Sequence, residues 1–510
     1  MIPLTSRLRA HALGEPGRRA IADGERRIDY GSLWAQAAAF SRFLKTAGIG
    51  RGDRVAVILP NCIEAIVAVY ACWLADAVVV PLNAQARARD MEPWLRHSEA
   101  RCVLFEAGHR DVLQAIEALQ TPILRVATGS SEAAASATSW AQAIAQAGNA
   151  AESESGADDL AMILYTSGTT GAPKGVMLSH ANLAANVDSI IAYLQLDKDD
   201  SIVSVLPFYY SYGASVLHTH LASGAFVVLE QNLVFPHLMV ETMARERVSG
   251  FSGVPSTFLL LLNRVPLDDY DLSALRYLTQ AGGAMAPATA QRLREALPQA
   301  KLYIMYGQTE ATARLAWLPP DMIEKKPGAV GIAVAGVELA VRREDGTPAA
   351  ALEVGEVHAR GPNVMLGYWR NPEASHTVLR DGWLKTGDMG YLDDDGYLFL
   401  SGRRSDMIKT GAHRVHPKDV EEVLAELAGI DEVAVVGVDD DTLGQVIKAV
   451  IVPRPHHALT DQRIKAHCRE RLAGYKIPKL IEFVDVLPKT ASGKIRRAQL
   501  TATIEPREVS

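Results

Sequence analysis

Apolar and polar positions switch between two periods along the first hundred residues. Tyr30 to Ala47 carries apolar residues at helical spacing, and Arg54 to Leu59 (RVAVIL) reads as a short strand. Cys62 to Leu74 returns to a helical pattern, and Ala77 to Pro81 (AVVVP) and Cys102 to Phe105 (CVLF) are further short apolar runs. Strands separated by helices predict a parallel sheet covered on both faces. Thr128 to Asp159 breaks this pattern with Ala, Ser, Glu and Gly and few large apolar groups. It predicts a surface loop with one helix around Trp140 to Ala147. Ala161 to Tyr165 (AMILY) reads as a strand that feeds a Gly/Thr-rich turn, followed by a helix over Asn182 to Leu194.

A second α/β stretch is expected from Ser201 to about Met305, with strands at Ser201 to Leu206 and Ala225 to Leu229. After Ala329 the chain changes to short strands with Gly-rich turns, ending near Ser401, which predicts a small β-rich subdomain. Beyond Arg404 a compact α+β unit is expected. Val420, Val423, Leu424 and Leu427 mark one helix face there, and Val433 to Val438 and Val446 to Val452 are strands. The charged stretch Arg403 to Asp406 has the texture of a hinge. The expected fold is therefore α/β: a large N-terminal domain over residues 1–403, built from two α/β sheet subdomains and the β-rich subdomain, with a small mobile C-terminal domain over 404–510.

Composition narrows the partners. The 510 residues are 48% hydrophobic and 22% charged, and 52 basic against 59 acidic residues leave a net charge of -7. This balance gives no reason to expect nucleic acid or an anionic membrane as partner. Cys62, Cys72, Cys102 and Cys468 lack C-x-x-C spacing, which argues against zinc and against a disulfide framework. Met1 to Ala10 has no apolar run after Arg7 and Arg9, and the apolar stretch Ile63 to Pro81 is interrupted by Glu64 and Asp76. A cytoplasmic location is expected.

The chemistry starts at Thr166 to Gly175, TSGTTGAPKG. Small residues let successive backbone N–H groups turn inward on a polyphosphate. Ser167, Thr169 and Thr170 add hydroxyls, Gly168 and Gly171 add freedom, and Lys174 adds a mobile positive charge. The spacing differs from the Walker A pattern, which disfavours an ordinary P-loop NTPase. Downstream, YGQTE (Tyr306 to Glu310) sets a carboxylate beside a hydroxyl, a pairing that suits Mg²⁺ with phosphate oxygens.

YTSGTTGAPKG resembles the nucleotide loop of the AMP-forming adenylating superfamily, which includes acyl-CoA synthetases, luciferases and peptide-synthetase adenylation domains. The later motifs follow in the family's order over nearly the whole chain. The resemblance implies a metal role for Glu310, α-phosphate contact for Thr309 and an adenine-face position for Tyr306 beside Gly307. AGGA (Ala281, Gly282, Gly283, Ala284) is similar to the family's adenine- and acyl-pocket strand. GWLKTGD ends on Asp388, implied to accept the ribose hydroxyls, and Arg403 is similar to an arginine that reaches the same sugar. PKTASGKIRR (Pro488 to Arg497) is similar to the loop carrying the adenylation lysine, here Lys494. A cation there offsets the repulsion between a carboxylate and an anionic α-phosphate. Phe208, Tyr209, Tyr210 and Gly253, with Ala281 and Gly282, are implied to line the acyl pocket.

The sequence departs from the family at three places. Ser405, followed by Asp406, occupies the hinge position where Asp or Lys is usual. Tyr210 replaces a common histidine. GAHRVHP (Gly411 to Pro417) replaces part of a glycine-rich wall, and Arg414 there could bind a phosphate or the carboxylate of an amino-acid nucleophile. YKIPK (Tyr475 to Lys479) is similar to CoA ligases. The resemblance implies an ATP- and Mg²⁺-dependent ligase that adenylates a carboxylic acid and passes the acyl group to the thiol of CoA, with Gly411 and Arg414 serving the second half-reaction. The alternatives are transfer to an amine or amino acid with amide bond formation, loading of a separate carrier protein, and a non-catalytic nucleotide-binding protein. No basic residue stands out in the sequence to pair with a second carboxylate on the substrate.

Overall fold

The apolar runs assemble into three sheets among the described residues. The computed structural model describes residues 2–130, 136–145, 153–166, 173–231, 235–411, 413–440, 443–454, 457, 459–490 and 494–501.

In the first sheet, Arg54–Ile58 lies between Val78–Pro81 and Ala100–Glu106, all parallel. These strands are near-continuous apolar runs because both faces are covered. The helix Ile63–Leu74 is buried at every position except Glu64, consistent with its nearly uniform hydrophobicity. The expected strand at AMILY spans Leu160–Thr166 and joins this sheet parallel to Val78–Pro81. The expected helix near Trp140 is one short helix, Trp140–Ile144.

The element after the Gly/Thr-rich turn differs from the reading of a strand, a loop and then a helix. Lys174–Ser179 is a strand, paired antiparallel to Leu160–Thr166 with Thr166 opposite Lys174. The helix His180–Leu194 begins only after it, capped by Ser179 and Asn182. The two strands that flank the turn therefore form a hairpin, and the helix begins only after the second of them. KGVMLS is short and partly apolar, so its strand was hidden behind the glycine signal.

Among the described residues the second sheet has 14 strands. Its parallel part runs Lys301–Tyr306, Tyr277–Gln280, Gly250–Gly253, Ser201–Ser204, Phe226–Leu229. The N-terminal hairpin Arg19–Asp23 and Arg26–Asp29, which the sequence pattern did not reveal, extends this sheet beside Phe226–Leu229. At the other edge Ala316–Leu318 and Ala329–Ala333 carry it antiparallel into Leu398–Arg403 and Trp383–Leu392. The β-rich segment is thus continuous with the second α/β sheet through Ala329–Ala333.

The third sheet draws only on residues from Ile408 onward, around the long antiparallel pair Ile430–Asp440 and Gly444–Pro453. Helix Pro417–Ala425 buries Val420 and Leu424 against it, and Val435, Ile447 and Ile464 belong to the same apolar cluster. Lys418 Nζ donates to the Leu400 carbonyl at 2.7 Å, and Asn263 donates to Asp431, tying this unit to the rest of the chain.

Candidate active site

Four of the segments singled out in the sequence leave the carboxyl ends of adjacent parallel strands. Gly253 stands opposite Gln280, and Gln280 opposite Ile304, so the first two strands end level and Lys301–Tyr306 runs two residues further. From their ends emerge Phe208 to Tyr210 after Ser201–Ser204, Val254 after Gly253, Ala281 to Ala284 after Gln280, and Gly307 to Glu310 after Tyr306. Open α/β sheets bind ligands at this edge, where neighbouring chains diverge and leave a crevice. The small residues are required by proximity. A Cβ on Gly307 would lie 2.0 Å from the Ala313 carbonyl oxygen, and one on Gly253 would lie 3.1 Å from the Phe258 ring. Gly282 has φ +85, a conformation disfavoured for residues with a Cβ.

The aromatic run packs beside this edge. The Phe208 N–H donates to Asn61 Oδ1 at 3.0 Å, and the Tyr209 and Tyr210 rings lie 4.5 Å apart. Burial, then the neighbouring Tyr210, pushes the Tyr209 phenol pKa up, so it stays neutral. Ala281 is buried, while Gly283 and Ala284 are exposed along the crevice.

A polar cluster faces these segments. Asp388 and Arg403 are cross-strand neighbours, with Arg403 Nε 3.2 Å from Asp388 Oδ1. Tyr306 Oη donates to Asp388 Oδ2 at 2.7 Å. A hydrogen bond to a charged acceptor contributes about 1.5–3 kcal/mol. The Asp388 N–H donates to Thr386 Oγ1 at 3.1 Å. Burial still raises the Asp388 pKa, against the pull of Arg403, Tyr306 and Lys494. Asp388 in turn raises that of Arg403. Glu310 Oε1 accepts from Tyr368 Oη at 2.9 Å, and Lys174 Nζ sits 5.5 Å from the centre of the same ring. Tyr368 lies on Gly367–Tyr368, paired with Lys174–Ser179, so it links the two large sheets at the site. Thr309 Oγ1 and Ser211 Oγ are 3.2 Å apart.

Lys494 comes from the far end of the chain. Its residue surface is solvent-accessible, yet its ammonium is crowded enough that loss of water is the largest influence on its pKa. Desolvation, then Arg403, lowers that pKa, while Asp388 and Glu310 pull it upward. The structure thus brings Lys494, Arg403, Asp388, Tyr306 and Glu310 into one electrostatic cluster, with Lys174 and Thr309 at its margin.

Other sequence expectations fall elsewhere. Thr166 ends its strand opposite Lys174, but Ser167, Gly168, Thr169, Thr170 and Gly171 lie outside the described residues. Ser405 sits in the short turn Arg404–Asp406, and its side chain lies outside the described residues. Asp406 Oδ2 is 3.7 Å from Arg497 Nε. Gly411 has φ +57 and donates its N–H to the Leu443 carbonyl at 2.8 Å. Arg414 pairs in register with Lys409, its side chain again outside the described residues. Tyr368, Thr386 and Ser211 were missed. Thr386 lies within GWLKTGD but nothing in that segment sets it apart from its neighbours, and only the fold brings Tyr368 and Ser211 to the cluster.

No group of three or more His, Cys, Asp or Glu side chains able to hold an ion occurs among the described residues. A single carboxylate, Glu310, suits Mg²⁺ carried on phosphate oxygens, because that ion keeps most of its shell from phosphate and water.

The family model of the AMP-binding enzyme matches residues 8–369, and that of the AMP-binding enzyme C-terminal domain matches residues 419–494. A feruloyl-CoA synthase from an Amycolatopsis species is 33% identical over 488 residues, 95% of this chain and 96% of that protein. The o-succinylbenzoate CoA synthetase of Bacillus subtilis in complex with its acyl-adenylate intermediate superposes with a TM-score of 0.85 at 28% identity, covering 99% of both chains. The same enzyme in complex with ATP and a magnesium ion gives a TM-score of 0.84 at 28% identity, covering 97% of this chain and 99% of that one.

Proposed function

The chain belongs to the AMP-binding enzyme family, and from that premise we propose that it joins a carboxylic acid to CoA in two steps. A substrate carboxylate oxygen attacks the α-phosphorus of ATP, the bond to the β-phosphate oxygen breaks, and pyrophosphate leaves. The thiol sulfur of CoA then attacks the acyl carbon, the bond to AMP breaks, and the thiol proton is lost to solvent.

Each residue has an assigned part in this reading. Asp388 and Arg403 hold the ribose, with Tyr306 keeping the Asp388 carboxylate oriented. The turn from Thr166 to Gly171, with Lys174, grips the phosphates. Thr309 contacts the α-phosphate. Glu310, aimed by Tyr368, would hold Mg²⁺, which would supply charge neutralisation on the phosphates. Gly283 and Ala284 leave room for the base, and Phe208, Tyr209, Tyr210, Gly253, Ala281 and Gly282 border the acid. Lys494 neutralises charge where carboxylate meets α-phosphate.

The observation that carries this reading is the mutual influence of Lys494, Asp388, Arg403 and Glu310. Desolvation of a distant basic loop against that cluster is what a charge serving there would show. The second step requires Lys494 to leave. A separate apolar core from Ile408 onward supports rotation of a unit beginning near residue 404, about Ser405 and Asp406. That rotation would present Gly411 and Arg414 to the acyl-adenylate. A cytoplasmic location completes the reading. All four cysteines are buried and free, as suits a reducing compartment. No helix among the described residues is long and apolar enough to cross a membrane.

The test uses purified protein, ATP, Mg²⁺ and a panel of acids, with CoA, free amino acids or a carrier protein as acceptor. AMP release that depends on CoA and yields a thioester is expected. Amide product without CoA would move the assignment to an amine ligase, and acyl transfer only to a carrier would make it a loading enzyme.

A further inference from the structure

The loop that carries Lys494 is a finger closed by its own backbone. The Thr490 N–H donates to the Lys494 carbonyl at 2.7 Å, and the Lys494 N–H donates to Thr490 Oγ1 at 3.1 Å. The Arg496 N–H donates to the Pro488 carbonyl at 2.8 Å. The upstream foot of this finger is Lys489, with Nζ 2.6 Å from Glu432 Oε2. The downstream foot is Arg497, which rests on Val435. Glu432 and Val435 both belong to the strand Ile430–Asp440. Ile495 and Leu500 pack on the apolar cluster that includes Ala434 and Val436 of the same strand.

The downstream foot joins several elements. Among the described residues Ile430–Asp440 pairs with Gly444–Pro453 alone, so it is an edge strand. Such a strand presents unpaired N–H and C=O groups. At Val435 side chains take both: its N–H donates to Glu421 Oε1 at 2.8 Å, and its carbonyl accepts from Arg497 Nη1 at 3.0 Å. Arg497 also binds Glu421 through both guanidinium nitrogens, Nη1 to Oε1 and Nη2 to Oε2 at 3.1 Å. A bidentate pair fixes the guanidinium in direction as well as place, which a single ammonium does not. Glu421 comes from the helix Pro417–Ala425. The last contact reaches outside these elements: Arg497 Nε lies 3.7 Å from Asp406 Oδ2, in the turn Arg404–Asp406.

We propose that Arg497 is a positioning residue for the first step: it locks the finger to the C-terminal unit and to the hinge turn, so that Lys494 enters and leaves the α-phosphate site with the whole unit and not by flexing of its own loop. The inference rests on the adenylation reading above. Arg497 touches no substrate in that reading. It acts through Lys494, whose ammonium faces Arg403, Asp388 and Glu310.

The test measures the two half-reactions of the full chain separately. ATP–pyrophosphate exchange is run with whichever of benzoate, cinnamate, octanoate and succinate supports it best. Thioester formation is run with CoA and the chemically prepared acyl-adenylate of that acid. Arg497→Met is expected to lower kcat for exchange about 100-fold, the scale of a misplacement of about 1 Å, with KM for ATP and thioester formation unchanged. Arg497→Lys, which keeps the charge without the fork, should restore part of the exchange. The isosteric Glu421→Gln should lose about tenfold in exchange alone, and it carries the test should Arg497→Met not fold.

A pH profile supplies a readout that packing alone would not move. Desolvation, then Arg403, lowers the Lys494 pKa, so wild-type exchange should fail on the alkaline side earlier than an ordinary lysine imposes. Loss of the clamp rehydrates the ammonium and should move that limb to higher pH. Equal losses in both half-reactions, exchange at the wild-type rate in Arg497→Met, or a limb that stays in place would each overturn the proposal. Absence of exchange by the wild type with every acid would instead refute the adenylation reading itself.

Discussion

Replacing Lys494 by alanine separates the two half-reactions. The residue retains accessible surface, so truncation should change folding stability by no more than about 0.5 kcal/mol. Its effect on chemistry should be much larger. The ammonium is desolvated beside Arg403, Asp388 and Glu310, where charge acts through a medium less screening than water. A unit charge about 4 Å from a developing anion is worth about 4 kcal/mol at an effective dielectric of 20. Loss of a single preorganised electrostatic contact in other enzymes costs about 2.7–4 kcal/mol, or 10²–10³-fold in rate. Acid-dependent ATP–pyrophosphate exchange should therefore fall 10²–10³-fold, with ATP binding nearly intact. Thioester formation from a preformed acyl-adenylate and CoA should continue, because the proposed rotation removes Lys494 from the site in that step. Exchange at the wild-type rate would refute the reasoning. So would an equal loss in both half-reactions, which would mark Lys494 as a general structural element.

Three further outcomes follow from the geometry. The Asp388 pKa is raised above its ordinary 3.8, so its carboxylate is protonated earlier on acidification. ATP affinity in a calorimetric titration should fade at a higher pH than an ordinary aspartate imposes, and Asp388→Asn should be weaker throughout and lose that limb. For stability the sign is reversed: the folded state holds this proton more tightly, so ionising Asp388 lowers stability as pH rises from 3.8 through its folded value. Tyr368→Phe keeps the ring beside Lys174 but deletes the 2.9 Å bond to Glu310, and kcat/KM for ATP should drop about tenfold with an unchanged melting curve. Gly307→Ala places a methyl group 2.0 Å from the Ala313 carbonyl, and chemical unfolding should show a loss of at least about 3 kcal/mol.

Much of this protein was legible from its sequence because the informative residues are local. Short apolar runs rich in β-branched residues, such as RVAVIL and VVVP, predict buried strands, and their alternation with helices predicted a covered parallel sheet. The glycine–hydroxyl turn, YGQTE, Asp388 and the basic loop at Lys494 each carry their chemistry within a few consecutive residues, and their order along the chain implied the family. Tertiary structure alone decided the rest. The pairing of Lys174–Ser179 with Leu160–Thr166 turned an expected helix approach into a hairpin, since a six-residue strand reveals itself only through its partner. Tyr368 reaches Glu310 from 58 residues away, and Asp388 takes its second partner, Tyr306, from 82 residues away. Such contacts depend on every element packed between their partners, which no local stretch of sequence encodes.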